Sequence, residues 1–281
     1  MFTLAKHKLA GQSPQGLKVE QMPSPNHSGA IVPKFLVFHY TACSAAVAKK
    51  VLTRQAGASS VSAHLLVDST GAVTQFVPFN LRAWHAGKSE WGEYQDLNTH
   101  SIGIEVVNYG YLLKTAAGMF QTAEAKLPIR PEEAIEARHR LPQLPWNYWH
   151  AYTPEQIETC EALAELLVSE YGLEDVLGHD DIAPARKADP GPAFPMLRIR
   201  SIALGRDSDA VADDLIYVAV DKLNIRKGAG AQFGKAGPPL IRNVQLKVLS
   251  RDPGGWVQVE TMQAPPVTGW VSGVYTSSGL T

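Results

Sequence analysis

This 281-residue chain has two cysteines, a net charge close to zero and no long apolar run, and each of these features excludes a class of protein. Only Cys43 and Cys160 are present, which are too few and too far apart for a disulfide framework or a Cys-x-x-Cys zinc site. A single bridge between them stays open, but free thiols that fill apolar gaps are the simpler interpretation. Any metal ion would therefore be held by histidine and carboxylate side chains.

The charge balance is almost neutral, with 26 Lys and Arg against 27 Asp and Glu, so nothing indicates nucleic acid as a partner. No apolar stretch approaches the roughly 20 residues that cross a bilayer, and we expect no transmembrane segment. The basic N-terminus, with Lys6 and Lys8, is not followed by the apolar core of a signal peptide. Localisation stays open between the cytoplasm and a compartment reached by another route or after loss of a leader.

Composition divides the chain into four segments. Residues 1–30 are rich in Ser, Pro, Gly and Gln and are predicted to form an irregular N-terminal arm. Residues 31–205 form the predicted main domain, 206–214 are a polar, charged linker, and 215–281 contain short β-rich runs separated by turns, which is typical of a small barrel. The length is sufficient for one full domain and one smaller module.

The main domain alternates strand-like and helix-like patterns. An apolar run at 31–38 predicts a strand that ends directly at His39, and 101–107 is a second β-branched-rich strand. The turn composition of 68–71 predicts a hairpin around it, and 45–55 suit a short helix.

One long helix is predicted after Thr153, which is an N-cap threonine followed by proline at the first helical position and by Gln156 at the capping-box position. Gly172 is a natural C-cap for it. The segment from Tyr109 to Trp149 has mixed periodicity, and we predict a helix in it near 131–140.

The densest chemical signal lies at 177–192, where Lys187 and Asp189 follow His179 by eight and ten residues. The Asp, Pro and Ala content between them disfavours a regular element, so a loop can bring Asp189 back toward His179. Because Asp189 precedes a proline its backbone is biased to be extended, and Lys187 and Asp189 would then share a face.

A third metal ligand would come from His39, because the end of a buried strand positions a side chain rigidly. Two histidines and one carboxylate, with a fourth position left to water, are typical of catalytic zinc, which acidifies the bound water. Glu105 could then act as general base, and Lys187 could neutralise an oxyanion at an amide carbonyl.

Five ordered blocks carry a family resemblance. They are Phe38–Ala42 (FHYTA), Val61–His64 (VSAH), Ala83–Gly87 (AWHAG), Ser101–Glu105 (SIGIE) and Gly178–Pro192 (GHDDIAPARKADPGP). With them, the chain from about Pro33 to Met196 resembles the type 2 N-acetylmuramoyl-L-alanine amidases, whose fold is shared with peptidoglycan-recognition proteins. The resemblance implies an α/β domain with a mixed central β-sheet flanked by helices.

The resemblance also implies residue roles. One zinc ion per chain would be bound by His39, His179 and Asp189, with Glu105 activating or orienting water and Lys187 assisting the transition state. The implied reaction is hydrolysis, by zinc-activated water, of the amide between N-acetylmuramic acid and L-alanine in peptidoglycan or muropeptides.

Three further residues, His64, Trp84 and His85, fall in blocks that line the family's substrate groove, so the resemblance implies that they bind substrate. The alternatives are core packing for Trp84 and a structural hydrogen bond for His64. Cys43 lies close to His39 and is interpreted as part of the cleft wall.

The C-terminal residues from about 215 to 277 resemble bacterial SH3-like domains, which are often cell-wall-targeting modules. Trp256, Trp270 and Tyr275 could present an aromatic surface to glycan or peptide. The simpler interpretation places both tryptophans in the core of the small barrel, which has few other large residues to fill it. A purely structural domain is a further alternative.

Other functions stay open beside the amidase. One is a non-catalytic peptidoglycan-binding protein on the same fold, although such proteins typically lose a zinc ligand and this chain keeps the full set. Another is a structural zinc site closed by His64 or Cys43. Within the amidase hypothesis, the extra barrel favours polymeric cell wall over soluble anhydro-muropeptides as the substrate.

Overall fold

The structure is a computed structural model, and it describes residues 1–55, 57–141, 143–205, 215–218, 220–252 and 254–277. The predicted linker at 206–214 and the last four residues lie outside the described part. The described residues group into two compact units, one formed by 1–110 with 152–205 and the other by 111–151 with 215–277. None of the described helices is long and apolar enough to cross a membrane.

The helices in chain order are α1 (Ala45–Thr53), α2 (Pro154–Tyr171), α3 (His179–Ile182) and α4 (Met196–Leu204). The strands in chain order are β1 (Phe2–Ala5), β2 (Lys8–Gly11), β3 (Glu20–Gln21), β4 (His27–Ala30), β5 (Phe35–Tyr40), β6 (Leu65–Val67), β7 (Val73–Gln75), β8 (Leu81–Ala83), β9 (Glu90–Trp91), β10 (Tyr94–Gln95), β11 (Ser101–Val106), β12 (Leu112–Lys114), β13 (Phe120–Thr122), β14 (Pro128–Ile129), β15 (Ala134–Glu136), β16 (Tyr148–His150), β17 (Asp175–Gly178), β18 (Leu215–Val218), β19 (Lys222–Leu223), β20 (Leu240–Ile241), β21 (Gln245–Arg251), β22 (Trp256–Thr261), β23 (Thr268–Ser272) and β24 (Thr276–Ser277).

The first unit is built on a mixed six-stranded sheet in the order β17-β5-β11-β6-β7-β3, which confirms the predicted α/β architecture. Strands β17, β5, β11 and β6 run parallel, and β6 and β7 form the predicted antiparallel hairpin. Strand β5 is apolar and buried along almost its whole length, as expected of a parallel strand in the middle of a sheet. It continues through Tyr40, so His39 lies inside the strand and not directly after it.

The helices of this unit follow their sequence signals. Helix α2 begins after Thr153, whose side chain accepts a hydrogen bond from the Gln156 N–H, and the Gln156 side chain bonds back to Thr153. It ends at Gly172, which has the left-handed conformation of a C-cap. The capping prediction is therefore confirmed. Cys160 is buried in this helix, and both cysteines are free thiols.

The N-terminal arm is less irregular than we predicted. Its residues form β1 to β4, and β3 joins the central sheet beside β7 in a parallel pair. Gln75 Oε1, inside the core, accepts the backbone N–H of Leu9 at 2.7 Å, so the arm is tied to the sheet by polar contacts. Composition did not predict these strands, because their short apolar runs are separated by turns rich in Ser, Pro and Gly.

The segment 111–151 folds as two small antiparallel sheets, β12-β13-β14 and β15-β16. The helix predicted near 131–140 is wrong: the chain makes one short 3-10 turn at Pro131–Glu133 and then forms β15. Pairing with the aromatic strand β16 supplies hydrogen bonds that a helix would otherwise make internally. Trp149 of β16 is fully buried, and its Nε1–H donates to the Ala137 carbonyl at 3.0 Å.

The C-terminal residues form an antiparallel sheet in the order β23-β22-β21-β18-β24 around an aliphatic core. In β22 the buried positions alternate, with Val257 and Val259 inside and Trp256 half-exposed on the opposite face. Trp270 is half-exposed as well, so the interpretation that both tryptophans fill this core is wrong. Valine, isoleucine and leucine fill the core instead, because the period-2 pattern places the tryptophans on the other face.

Candidate metal centre

Three elements bring His39, His179 and Asp189 together. His39 lies near the C-terminal end of β5, and β17 runs parallel beside it with Gly178 opposite Phe38. His179 follows Gly178 directly as the first residue of α3, so the two histidines meet at the same edge of the sheet. The loop that follows α3 folds back, because the Asp180 N–H donates to the Asp189 carbonyl at 2.8 Å. All three side chains are buried.

The ligating atoms form a tight triangle. The Nδ1 atoms of His39 and His179 are 2.8 Å apart, and Asp189 Oδ2 is 3.1 Å from the first and 2.9 Å from the second. A tetrahedral zinc ion with bonds of about 2.0–2.1 Å spaces its ligand atoms about 3.3 Å apart, slightly wider than this triangle. Two imidazole nitrogens and a carboxylate oxygen are also the ligand types that zinc prefers. The three residues therefore fit a zinc ion.

The protonation states suit metal binding. Burial, with the neighbouring His179, lowers the pKa of His39 to about 4, so this imidazole is neutral at physiological pH. Burial opposes ionisation of Asp189, but hydrogen bonds from His179 and His39 dominate and hold the pKa of its carboxyl well below the usual range. Neutral imidazoles and an ionised carboxylate are the forms that bind a cation.

No fourth protein ligand closes the site among the described residues, where this triad is the one group of three or more His, Cys, Asp or Glu that could hold a metal ion. His64, a possible fourth ligand in the structural alternative, is occupied: its Nδ1 accepts the Gly103 N–H at 2.9 Å, and its Nε2 lies 2.9 Å from the Leu81 carbonyl. Cys43 is half-buried and lies outside the triad. This geometry favours an open coordination position, as in catalytic zinc sites.

Glu105 lies beside the triad on β11, directly opposite His39 in the parallel ladder. Its Oε2 is buried and makes no hydrogen bond within the described part of the protein. Burial and the Asp189 carboxylate raise the pKa of Glu105 to about 8, and the Lys187 ammonium opposes the rise. A cation bound at the triad would favour the ionised form of this carboxyl, which is the form that can accept a proton from water.

Lys187 is half-buried, and its backbone N–H donates to the Ala183 carbonyl at 3.0 Å. Its positive charge acts on the pKa values of both Glu105 and His39, which places the ammonium group in the electrostatic environment of the site. The two predicted catalytic residues and the three predicted ligands thus converge on one region.

Two residues that sequence reasoning missed hold the site in shape. The Tyr152 hydroxyl is buried and donates to the Pro190 carbonyl at 2.8 Å, which fixes the residue after Asp189. The Arg186 guanidinium donates to the carbonyls of Ala86 and Lys88. His179 Nε2 also lies 3.1 Å from the Ala86 carbonyl. Arg186 stands inside the densest sequence block, but spacing alone gave no reason to single it out.

The three predicted substrate-binding residues lie in different environments. His64 is completely buried with both ring nitrogens engaged, so it offers no atom to a substrate, and the groove prediction finds no support at this position. Trp84 is half-exposed, and its Nε1–H donates to the Ser28 hydroxyl at 3.3 Å. His85 is half-buried with its Nδ1 only 2.9 Å from His39 Nε2.

Comparison with known proteins agrees with this geometry. The profile of the N-acetylmuramoyl-L-alanine amidase family matches residues 29–192. The chain is 32% identical over 186 residues to the N-acetylmuramoyl-L-alanine amidase AmiD of Escherichia coli, covering 63% of this chain and 55% of AmiD. It is 34% identical over 142 residues to the 1,6-anhydro-N-acetylmuramyl-L-alanine amidase AmpD of Escherichia coli, covering 50% of this chain and 57% of AmpD.

A crystal structure of an AmpD selenomethionine derivative superimposes with a TM-score of 0.50 at 25% identity, covering 71% of this chain and 98% of the AmpD chain. The present chain spans little more than half the length of the curated relatives AmiD and AmpD. The matched profile covers more than half of this chain and contains the His39, His179 and Asp189 triad. The chain therefore belongs to the N-acetylmuramoyl-L-alanine amidase family.

Proposed function

We propose that this protein is a zinc-dependent N-acetylmuramoyl-L-alanine amidase that cleaves the amide between N-acetylmuramic acid and L-alanine. The observation that carries the proposal is the buried triad of His39, His179 and Asp189, whose ligating atoms all lie within 4.8 Å of one another. Beside it, the carboxyl of Glu105 has a pKa raised by burial to about 8.

His39, His179 and Asp189 would hold the zinc ion, which when bound would act as a Lewis acid, polarising the carbonyl and acidifying water. Glu105 accepts a proton from the attacking water and delivers it to the leaving nitrogen. The Lys187 ammonium stabilises the negative charge that develops on the carbonyl oxygen. The C–N bond breaks, and the products are the lactyl carboxylate and a peptide with a free L-alanine amine.

Incubation with purified sacculi tests this reaction. We expect soluble products with new N-terminal L-alanine amines, and we expect chelation of zinc to stop their release. The alternative function, peptidoglycan binding without hydrolysis, predicts protein that sediments with sacculi while no amine appears. That outcome would overturn the enzymatic proposal.

The preferred substrate is a finer part of the proposal. We infer that the enzyme acts on polymeric cell wall more readily than on soluble anhydro-muropeptides, because soluble fragments require no targeting module. Turnover of intact sacculi and of a purified anhydro-muropeptide, measured side by side, decides between them. A clear preference for the soluble fragment would contradict the inference.

The C-terminal sheet is proposed to be an SH3-like, wall-binding domain. Supporting this, a cleft of about 450 Å³ in this sheet is lined by Trp256, Tyr275, Lys222 and Arg226, among others. Tyr275 exposes 48% of its surface. Half-exposed aromatic rings beside cationic side chains suit contact with sugar rings and with peptide carboxylates.

A further inference from the structure

The His85 ring lies on the central sheet, between His39 of β5 and Ser101 of β11. Its Nδ1 is 2.9 Å from His39 Nε2, and its Nε2 is 3.4 Å from the Ser101 hydroxyl. Ser101 is buried, and its hydroxyl donates to the Leu97 carbonyl at 2.6 Å. A continuous series of polar contacts therefore runs from His39 through His85 and Ser101 to a backbone carbonyl.

The direction of these hydrogen bonds is fixed at both ends. His39 turns Nδ1 toward His179 and Asp189, so an ion bound there takes the Nδ1 lone pair and leaves the ring proton on Nε2. His39 Nε2–H must then donate to His85 Nδ1, and His85 carries its own proton on Nε2, facing Ser101. The Leu97 carbonyl can only accept. One tautomer of each ring satisfies the whole series.

The backbone around His85 keeps its ring in this place. The N–H groups of His85 and Ala86 both donate to Asn98 Oδ1, at 2.9 and 2.7 Å. Gly103 lies under the imidazole, where an added Cβ would stand 2.4 Å from His85 Cγ. Glycine at position 103 thus leaves the space that lets the His85 ring pack against β11.

We propose that His85 is a positioning residue for the metal centre: by accepting the Nε2–H of His39, it fixes the tautomer and ring orientation that direct His39 Nδ1 to the ion. Ser101 holds His85 in the tautomer that can accept. The inference rests on the proposed zinc site. It gives His85 a role different from substrate contact, because the ring nitrogen that faces His39 is committed to a protein partner.

Zinc affinity is the first readout, since a partner of this kind typically changes metal affinity by about 10- to 100-fold. Zinc dissociation constants are measured by competition with a chelating dye for the wild type, His85→Phe and His85→Gln. Phenylalanine cannot accept a hydrogen bond, and we expect it to weaken zinc binding by about 10- to 100-fold. Glutamine offers an amide oxygen to His39 Nε2 and should restore affinity to within a few-fold of the wild type.

His27→Phe is the matched control, because His27 is an exposed histidine on β4 and its replacement should leave zinc affinity unchanged. Wild-type affinity in His85→Phe would overturn the inference. So would a raised KM in that variant with unchanged zinc affinity, because it would make His85 a substrate contact. A wild-type protein that bound no zinc would instead contradict the proposed function itself.

A second measurement needs no substitution, in case His85→Phe does not fold. Long-range ¹H–¹⁵N NMR spectra of the zinc-loaded wild type report which ring nitrogen of each histidine carries the proton. The inference requires protonated Nε2 and unprotonated Nδ1 at His85. A proton on Nδ1 of His85 would overturn it.

Discussion

Glu105 and His39 are directly opposite one another on the neighbouring parallel strands β11 and β5. Paired residues of adjacent strands point to the same face of a sheet, so the carboxyl group and the imidazole belong to one surface. Gly103 and Ser101 lie on the same face of β11, two and four positions before Glu105. This single face therefore carries the proposed proton acceptor Glu105, the metal ligand His39, and the two residues that contact the His85 ring.

Replacement of Glu105 by glutamine should lower turnover by about 10²- to 10⁴-fold, which is the usual contribution of a general acid–base group. Zinc content should stay at one ion per chain, because Glu105 is outside the triad. Initial rates on sacculi and metal analysis of the purified variant check both expectations. Glu93→Gln, at an exposed glutamate, is the control. Full turnover in Glu105→Gln would remove this residue from the mechanism.

His64 should make stability depend on pH. Burial lowers its pKa from 6.5 to about 4, so between these values the unfolded chain binds a proton that the folded protein does not. Stability therefore decreases as the pH falls through this window, by about 3 kcal/mol from this residue. Urea unfolding of metal-free wild type and His64→Gln at pH 7 and pH 4.5 measures the difference. An equal loss in both proteins would contradict the prediction.

Gly103→Ala should weaken metal binding, although Gly103 is not a metal ligand, because it displaces the His85 ring. Its Cβ would overlap the His85 ring, and overpacking of this kind typically costs about 1–3 kcal/mol. We expect a lower melting temperature and weaker zinc binding. Gly29→Ala is the matched control, because an added Cβ there meets no atom within 4 Å. Similar behaviour of the two variants would show that the His85 ring is not held against β11.

Removal of zinc should stop catalysis before it unfolds the protein. A site with three protein ligands leaves a coordination position to water, whereas structural zinc contributes folding energy outright. After treatment with a chelator, we expect an intact circular dichroism spectrum, loss of sacculus cleavage, and recovery on addition of zinc. Unfolding that accompanies chelation would indicate a structural ion.

Trp256→Ala should reduce binding to sacculi while cleavage of soluble muropeptides continues at the wild-type rate. Trp256 lines the cleft of about 450 Å³ in the C-terminal sheet, and its half-exposed ring is outside the aliphatic core. Co-sedimentation measures binding, and Leu249→Ala, at an exposed position on β21, is the control. If both variants sediment as the wild type does, the cleft is not the wall-binding surface.

The metal triad and the central sheet could be predicted because each has a strong local signature. The continuous apolar run of β5 predicts a buried parallel strand, and the block at 178–192 combines its ligand types at short spacing. The capping box of α2 is similarly local and fixes the start of that helix. These signals depend on neighbouring residues alone, whereas the assignment of His39 to the triad rested mainly on the five ordered family blocks.

The remaining features depend on contacts between distant residues. The role of His85 requires three partners from different strands and loops, and no spacing rule connects them. Strand β15 forms because β16 pairs with it, which overrides the helical tendency of its sequence. The exposure of Trp256 could have been predicted, however, because Val257 and Val259 alternate with it on the opposite face.

The grouping of residues 111–151 with the C-terminal sheet affects how the protein can be divided. Asn243 donates a hydrogen bond to the Glu132 carbonyl at 2.7 Å, joining the two parts of the second unit. A protein truncated at residue 205 would keep 111–151 but lose this hydrogen-bond partner and the rest of its compact unit. Truncation at one position is therefore insufficient to isolate the unit that holds the metal site. A variant made for this purpose would also replace 111–151 with a short linker.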